Sequence, residues 1–464
     1  MTWAQKGHED RKIGVHDGNL IRTKFHNFGS IGGPGDRNKP RIEWPAYSGH
    51  EYGYEMGLLI GAEVIGNTED GERDTIIHIV DDGIQDGGDE DFEPLPGYAN
   101  PDQDTLAFSD KPNTWPSDWD EWPGEFGSGV IVADQESYWV MQDMANTEFQ
   151  DSIGPTYYPD PADTTLHGLG IQVSCRGYEF SDSLTEDILF WVYNIKNISA
   201  MALGKVVVGM FGDFDIGGYP DYGDDCFAFD STRNMVYTWD SDNQSINFES
   251  GEDIGWLGLR MLETPKDSMG EELGLTAVTS FVYGTTYPYQ DTVMWNFMTP
   301  GTFEIPGGPM DHVTVIGSGY FSLPMDSSAR FVVAIIMGAD SSDLFINADY
   351  AQEVYDSILV GVEEPDSHND IFKPFFLFQN EPNPFNSYTT IKYATTTTGR
   401  VKIVIYDIIG REIKTLVKEY KEPGLYTTAW YGDDEGGNRV PNGIYFCRMA
   451  MKGISITRKL LMIK

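Results

Sequence analysis

VKIVIYDIIGREIKTLV, residues 401–417, decides how this chain is to be folded. Val401, Ile403 and Ile405 alternate with Lys402, Val404 and Tyr406, the two-residue period of a strand that buries one face. Residues 407–410 then supply a hairpin turn, in which Gly410 is free to take a positive φ. Further strand-like runs occur at 390–393, 412–417, 426–430, 443–449 and 455–462, separated by Pro423-Gly424, by 433–437 and by Pro441-Asn442-Gly443. Strands of this length at this spacing predict a small β-sandwich over 375–464. Cys447 alternates with Tyr445 and Met449 and is expected to face that domain's core.

Upstream, 188–195 and 205–211 are apolar on both faces, as is 330–337 past its first residue, which predicts central strands of packed sheets. Shorter strands are predicted at 235–239, 256–261, 275–282, 313–316 and 320–323. A short helix is predicted near 343–358, where Leu344, Ala348, Ala351, Tyr355 and Ile358 share a helical stripe behind the capping candidates Ser341-Ser342-Asp343. The predicted fold class is therefore mainly β: a multi-module β-sandwich with one short helix and a C-terminal immunoglobulin-like domain. The expected organisation is a β-rich region over 1–160, a β-sandwich region over 161–362, a polar linker over 363–374 that contains EEPDSHNDIFK, and the C-terminal domain over 375–464. GPTYYPDPADTT, residues 154–165, marks the first of these boundaries.

Charge divides the chain in the same place. Residues 1–374 hold 18 Lys and Arg against 65 Asp and Glu, whereas 375–464 hold 13 against 8, within an overall net charge of −42. A surface this acidic repels phosphate backbones and anionic headgroups, which excludes nucleic acid as a partner and makes divalent cations the natural ones. Acidity of this kind also serves simply to keep a protein soluble. No apolar run approaches the roughly 18 residues that span a bilayer, so no transmembrane segment is expected. Residues 1–12 are polar and charged, without the apolar stretch of a signal peptide, so the sequence is expected to be a mature form or a piece of a longer reading frame. Three cysteines, Cys175, Cys226 and Cys447, do not make a disulfide framework; Cys175 and Cys226 are read either as one bridge or as free buried thiols.

FLFQNEPNPFNSYTTIKY (376–393), VKIVIYDIIGREIKTLV (401–417), NGIYFCRM (442–449) and the closing TRKLLMIK (457–464) together resemble the type A C-terminal sorting domain of type IX secretion. The residues that carry the resemblance are Asn383-Pro384-Phe385-Asn386, Tyr406-Asp407, Gly410-Arg411, Gly443-Ile444-Tyr445-Phe446 and Thr457-Arg458-Lys459. The resemblance implies an immunoglobulin-like sorting domain, export through the periplasm by the outer-membrane secretion machinery of a Bacteroidetes-like bacterium, and release or attachment at the cell surface. It implies nothing about what residues 1–362 do. Segments of that region, among them IEWPAYSGHEYGYEMGLLIGAEV and VVVGMFGDFDIGG, are similar to large uncharacterised secreted proteins of environmental bacteria with the same tail. That similarity brings a location and a sandwich expectation, and no activity.

The strongest local constellation is DFDIGGYPDYGDD, residues 213–225. Taking Asp213 as position 1 puts Asp215, Asp221 and Asp224 at positions 3, 9 and 12 and Gly218 at 6, the way a calcium loop turns oxygen ligands inward. Gly217 at position 5, an aspartate at 12 and a preceding strand exclude an EF-hand. A calcium-binding loop between strands, with Asp213, Asp215, Asp221 and Asp224 as ligands, stands against a solvated acidic turn. A second run, Asp81, Asp82, Asp86, Asp89, Glu90 and Asp91, has no ligand spacing and reads as a solvated face.

Trp115, Trp119 and Trp122, interleaved with prolines, are candidates for a platform that stacks sugar rings, with a surface polysaccharide as the partner; the competing reading has them pinning a loop to the domain body. His-Glu-x-x-His, Gly-x-Ser-x-Gly, phosphate-cradling loops and paired metal cysteines are all missing, and the eight histidines are scattered. Residues 1–362 are therefore expected to bind or to build a surface rather than to catalyse. The alternative is a secreted hydrolase acting on polysaccharide or protein, since a glycosidase's carboxylate pair is defined by separation in space rather than in sequence.

Overall fold

The computed structural model describes residues 8–463 apart from 34–39, 68–71, 82–90, 145–156, 246, 249–252, 283, 286–289, 360–374, 378–379, 381, 396–397, 409, 422–423 and 452–453. The chain forms two compact units, Met1–Ala351 and Gln352–Lys464. Both are mainly β.

In the first unit two sheets enclose one core. A nine-stranded sheet runs, in spatial order, Ile13–His16, Thr23–His26, Ile31–Gly32, Glu55–Asn67, Leu203–Asp213, His312–Leu323, Ala277–Val282 and Phe303–Glu304, with Arg73–Val80 also paired to Glu55–Asn67. The eight-stranded sheet runs Asp225–Asp230, Met235–Asp240, Trp256–Glu263, Ser328–Gly338, Ile188–Asn197, Ile171–Glu179, Gln135–Gln142 and Glu93–Pro94. The three runs predicted to be apolar on both faces are all central strands. Their inner faces meet in one core, to which the first sheet gives Phe25, Met56 and Val208 and the second Trp139, Trp191 and Ile335.

Their outer faces are apolar because helices cover them. Asp291–Met298 lays Met294, Trp295 and Met298 over the nine-stranded sheet against Leu59, Val207 and Val315. Ser341–Val354 seats Leu344 over Gly258 and Gly338 of the other sheet. Each fully buried side chain of this size contributes about 1.5–3 kcal/mol. The predicted stripe of the second helix is buried at Leu344, Ala348, Ala351 and Tyr355; the side chain of Ile358 lies outside the described residues.

Three expectations are corrected. Strands from both sides of residue 160 share both sheets, as Glu55–Asn67 pairs with Leu203–Asp213 and Gln135–Gln142 with Ile171–Glu179, so 1–160 and 161–362 build one sandwich. The described part of the proline-rich stretch, 157–165, lies between Gln135–Gln142 and Ile171–Glu179, which pair within one sheet; 154–156 lie outside the described residues. Residues 313–316 and 320–323 are one strand, His312–Leu323. The intervening glycines admit neighbours instead of breaking the ladder: a Cβ on Gly317 would stand 3.0 Å from Met298 Cα, and one on Gly319 2.9 Å from Val207. The helix Asp291–Met298 was unforeseen, because eight residues are too few to display a stripe. The expected linker at 363–374 lies outside the described residues.

The second unit is a small sandwich of three strands, Phe375–Leu377, Thr389–Thr395 and Gly424–Trp430, and four, Glu412–Lys421, Gly399–Asp407, Gly443–Met451 and Ile454–Met462. Its core holds Phe385, Trp430, Tyr445, Met449 and, as expected, Cys447. Gly410 takes φ 82° in the turn after Asp407, and the carboxylate of Asp407 accepts from the Arg411 backbone N–H at 2.9 Å and its Nε at 2.6 Å. Among the described residues no helix is long and apolar enough to cross a membrane.

Candidate functional site

The acidic residues gather where the chain passes from one sheet of the sandwich to the other. Leu203–Asp213 is a central strand of the nine-stranded sheet, and Asp225–Asp230 is the edge strand of the eight-stranded one. The connection folds back through two turns, Gly218 N–H to Asp215 O at 3.0 Å and Asp221 N–H to Gly218 O at 2.7 Å. Gly217 and Gly218 sit at φ 85° and 71°, which only glycine adopts without strain. Ser245 Oγ and Asn247 Nδ2 donate to Gly217 O at 3.0 and 2.7 Å, tying the loop to the segment after Met235–Asp240.

Two groups of carboxylates result. Asp213 and Asp215 meet Asp311, which precedes the strand His312–Leu323; Asp224 meets Asp240 and Asp242. Within each group one oxygen per residue lies within 4.8 Å of the others. Oxygens bound to one calcium at about 2.3–2.6 Å stand at most about 5 Å apart, so either group fits a single ion. Asp225 lies between them, wholly buried, and faces Asp240 across the ladder. Its Oδ2 accepts the Ile216 N–H at 3.0 Å, while its Oδ1 has no hydrogen-bond partner.

Burial, followed by neighbouring acids, governs the electrostatics. Asp215 is pushed up by burial and then by Asp311, with the guanidinium of Arg41 acting the other way. Burial lifts Asp311 to about 6, and burial with Asp224 lifts Asp240 to about 6. Asp225 is lifted to about 10 by burial, with Asp215, Asp240 and Asp224 adding to the effect and the Ile216 N–H opposing it. Among the charges that act most strongly on these described groups, the one cation is Arg41.

The four residues predicted as one calcium loop are thus divided: Asp213 and Asp215 fall in one group and Asp224 in the other. Asp221 is in neither; its carboxylate takes a hydrogen bond from Ser245 and has one oxygen, Oδ2, without a partner. Asp240, Asp242 and Asp311, which complete the two groups, were missed. Asp240-Ser-Asp242 at a predicted strand end was the one local signal, since an aspartate there turns back on its own backbone. Of the second acidic run, Asp82, Asp86, Asp89 and Glu90 lie outside the described residues; Asp81 N–H donates to the Asp91 carboxylate at 3.1 Å.

The tryptophans are pinned. Trp122 is buried and donates Nε1–H to Glu136 at 2.7 Å, Trp115 donates to Phe108 O at 2.6 Å, and both Trp115 and Trp119 pack on Trp122 with centroids 5.7 and 5.8 Å away. Trp119 and Trp115 remain half-buried.

A further constellation has the connectivity of a nucleophile, a base and an orienting carboxylate. Ser137 Oγ lies 2.8 Å from His16 Nε2, and His16 Nδ1 lies 3.5 Å from Glu179 Oε2. All three are wholly buried, and His16 is packed between Phe25, Phe108 and Trp191 with centroids 5.0–5.3 Å away. Sealed among these rings, the line is a buried polar network. One surface cleft is lined by Glu263, Lys266, Phe321 and Arg330, and Arg330 Nε pairs with Glu263 at 3.2 Å.

In the C-terminal unit the motif residues divide between staples and exposed positions. Asn383 Oδ1 accepts the Leu461 N–H at 2.8 Å, Phe385 exchanges backbone bonds with Leu461 and Ile463, and its buried ring lies 5.4 Å from Trp430. Tyr445 is buried and donates to Pro441 O at 2.6 Å, and Arg458 Nε donates to Leu377 O at 2.8 Å. Asn383, Pro384, Asn386, Arg411, Thr457 and Lys459 are exposed, and Gly443 is half-buried. Arg439, which no motif flagged, donates to the carbonyls of Asn386, Ser387 and Tyr431.

Residues 386–453 match the FlgD Ig-like domain family. No curated protein matches the chain by sequence. Similar solved structures include a polysaccharide lyase (8% identity, 98% of this chain and 47% of that one, TM-score 0.29) and a bacterial glucoamylase complexed with acarbose (10%, 74% and 34%, TM-score 0.37). Heparan sulfate lyase HepC from Pedobacter heparinus is another (8%, 56% and 24%, TM-score 0.22). The chain spans less than half the length of each, and likenesses this distant assign it no activity.

Proposed function

We propose that this chain is an exported β-sandwich protein whose first unit serves as a binding or structural module held by calcium at its acidic end, and whose last ninety or so residues address it to type IX secretion. The observation that carries the calcium reading is the convergence of Asp213, Asp215 and Asp311, with carboxylate oxygens within 4.8 Å of one another beside the wholly buried Asp225. Three buried or half-buried acids in such a space repel one another, and a hard divalent cation with oxygen preference offsets that repulsion. Preferential binding to the folded state then adds stability, about 2.7 kcal/mol at a free concentration one hundred times Kd. Melting of the full chain in chelator and in calcium tests this: the midpoint should rise with calcium, and Asp215→Ala should remove most of the rise. Coincident melting curves would favour the solvated turn.

The export reading rests on the motif resemblance over 375–464, and the immunoglobulin-like match over 386–453 is compatible with it. Deleting 375–464 in a host with the matching machinery should strand the protein in the periplasm. Undiminished secretion of the shortened chain would remove the export assignment and leave the calcium reading untouched.

A further inference from the structure

We propose that Asp224, Asp240 and Asp242 form a second divalent-cation site, separate from the one at Asp213, Asp215 and Asp311, and that it too takes calcium. The three residues come from different pieces of chain: the 3₁₀ turn Tyr222–Asp224, the last residue of the strand Met235–Asp240, and the turn beyond it. Asp240 is fixed in place. Its Oδ1 accepts the backbone N–H groups of Asp242 at 3.0 Å and Gln244 at 3.2 Å, so the other oxygen is aimed by the turn rather than by chance. That oxygen, Oδ2, is buried without a hydrogen-bond partner on a residue only 7% exposed, and Asp240 belongs to the converging group.

A second strand supplies an independent sign. Asp225 is paired directly with Asp240 in the antiparallel ladder and is 0% exposed, with its own Oδ1 unpartnered. Two carboxylates directly opposite one another on neighbouring strands repel when both are ionised, and a buried carboxylate oxygen without a donor adds to the cost. A cation held by Asp224, Asp240 and Asp242 offsets the repulsion from the Asp240 side of this pair and supplies the partner that Asp240 Oδ2 lacks. Asp224 is steadied by Ser241 Oγ, which donates to it at 2.9 Å, and the exposed Asp242 leaves an open side for the waters that complete a calcium shell. The two groups also differ in their surroundings. Arg41 acts on Asp215, whereas the charges acting most strongly on Asp225 and Asp240 are all carboxylates.

The test is equilibrium dialysis of the chelator-stripped full chain against labelled calcium, read as ions bound per chain. The wild type should bind two ions, Asp242→Asn one, and Asp311→Asn one. Asp242 is exposed and caps no element, so its amide variant should melt with the wild type in chelator, which separates lost binding from lost folding. Two ions still bound by both Asp242→Asn and Asp240→Asn would overturn the second site. So would a single ion in the wild type that only Asp311→Asn removes, an outcome that leaves the first site standing. A single ion lost in Asp242→Asn but retained in Asp311→Asn would uphold the second site and remove the first.

Discussion

Asp143 and Asp225 are both wholly buried aspartates in the same sandwich, and they are supported in opposite ways. Asp143 Oδ2 accepts the Leu169 N–H at 2.6 Å and its Oδ1 the Ile171 N–H at 2.7 Å. Nearby in sequence, Glu136 takes Trp122 Nε1–H and the backbone N–H groups of Val132 and Ala133. Asp225 receives one N–H and faces three other aspartates. Burial lifts Asp143 to about 6 and Asp225 to about 10, the difference lying in donors gained and acids met. The first region supplies its own positive partial charges from the backbone; in the second, where a single N–H reaches Asp225, our proposal has a cation from solution supply them.

That contrast can be broken at several points. The largest effect is expected at Trp122→Ala, which empties a buried indole site and strips Glu136 of a donor, costing about 3–5 kcal/mol in denaturant unfolding whether or not calcium is present. Calcium-dependent rescue would show that the two regions are coupled after all. Asp143→Ala leaves the N–H groups of Leu169 and Ile171 buried without an acceptor, at about 1–3 kcal/mol each, again independent of calcium.

The pH dependence of the first region follows from the same carboxylate. Burial holds Asp143 protonated up to about pH 6 in the folded chain, while the unfolded chain releases that proton near pH 4. The unfolded state therefore binds fewer protons between those values, and this group's contribution to stability falls as pH rises from about 4 to about 6, then stays level. Asp143→Asn should flatten that part of the unfolding midpoint against pH, measured in chelator. An unaltered profile would place the titration elsewhere. The smallest effect is expected at Asp225→Asn in chelator, within about 1 kcal/mol of wild type, because asparagine still accepts from Ile216 and relieves the crowding of acids. In calcium the same variant should fall behind the wild type, which makes it the sharpest test of the contrast.

How much of this was legible depended on the range of the interaction. Strands such as Ile188–Asn197 and the helix stripe from Leu344 announce themselves by local period, as does the alternation that buries Cys447. The glycines of His312–Leu323 misled, because Gly317 admits a helix and Gly319 the Val207 side chain of a neighbouring strand, both from elsewhere in the chain. In the acidic end, the loop 213–225 was visible as a candidate, but its partners were not. Asp311 arrives because Asp213 is in register with Val313, and Asp240 because it is in register with Asp225. Register between distant strands leaves no trace in local spacing. Arg439, which holds the carbonyls around Asn386, was invisible for the same reason.

The central claim is that the missing charge at the acidic end is a bound cation. A crystal of the full chain grown in saturating calcium, with anomalous difference density collected at both acidic groups, tests it most directly. The account predicts peaks about 2.3–2.6 Å from the carboxylates of Asp215 with Asp311 and of Asp240 with Asp242. Aspartates paired with water alone, and no anomalous density at either group, would contradict it.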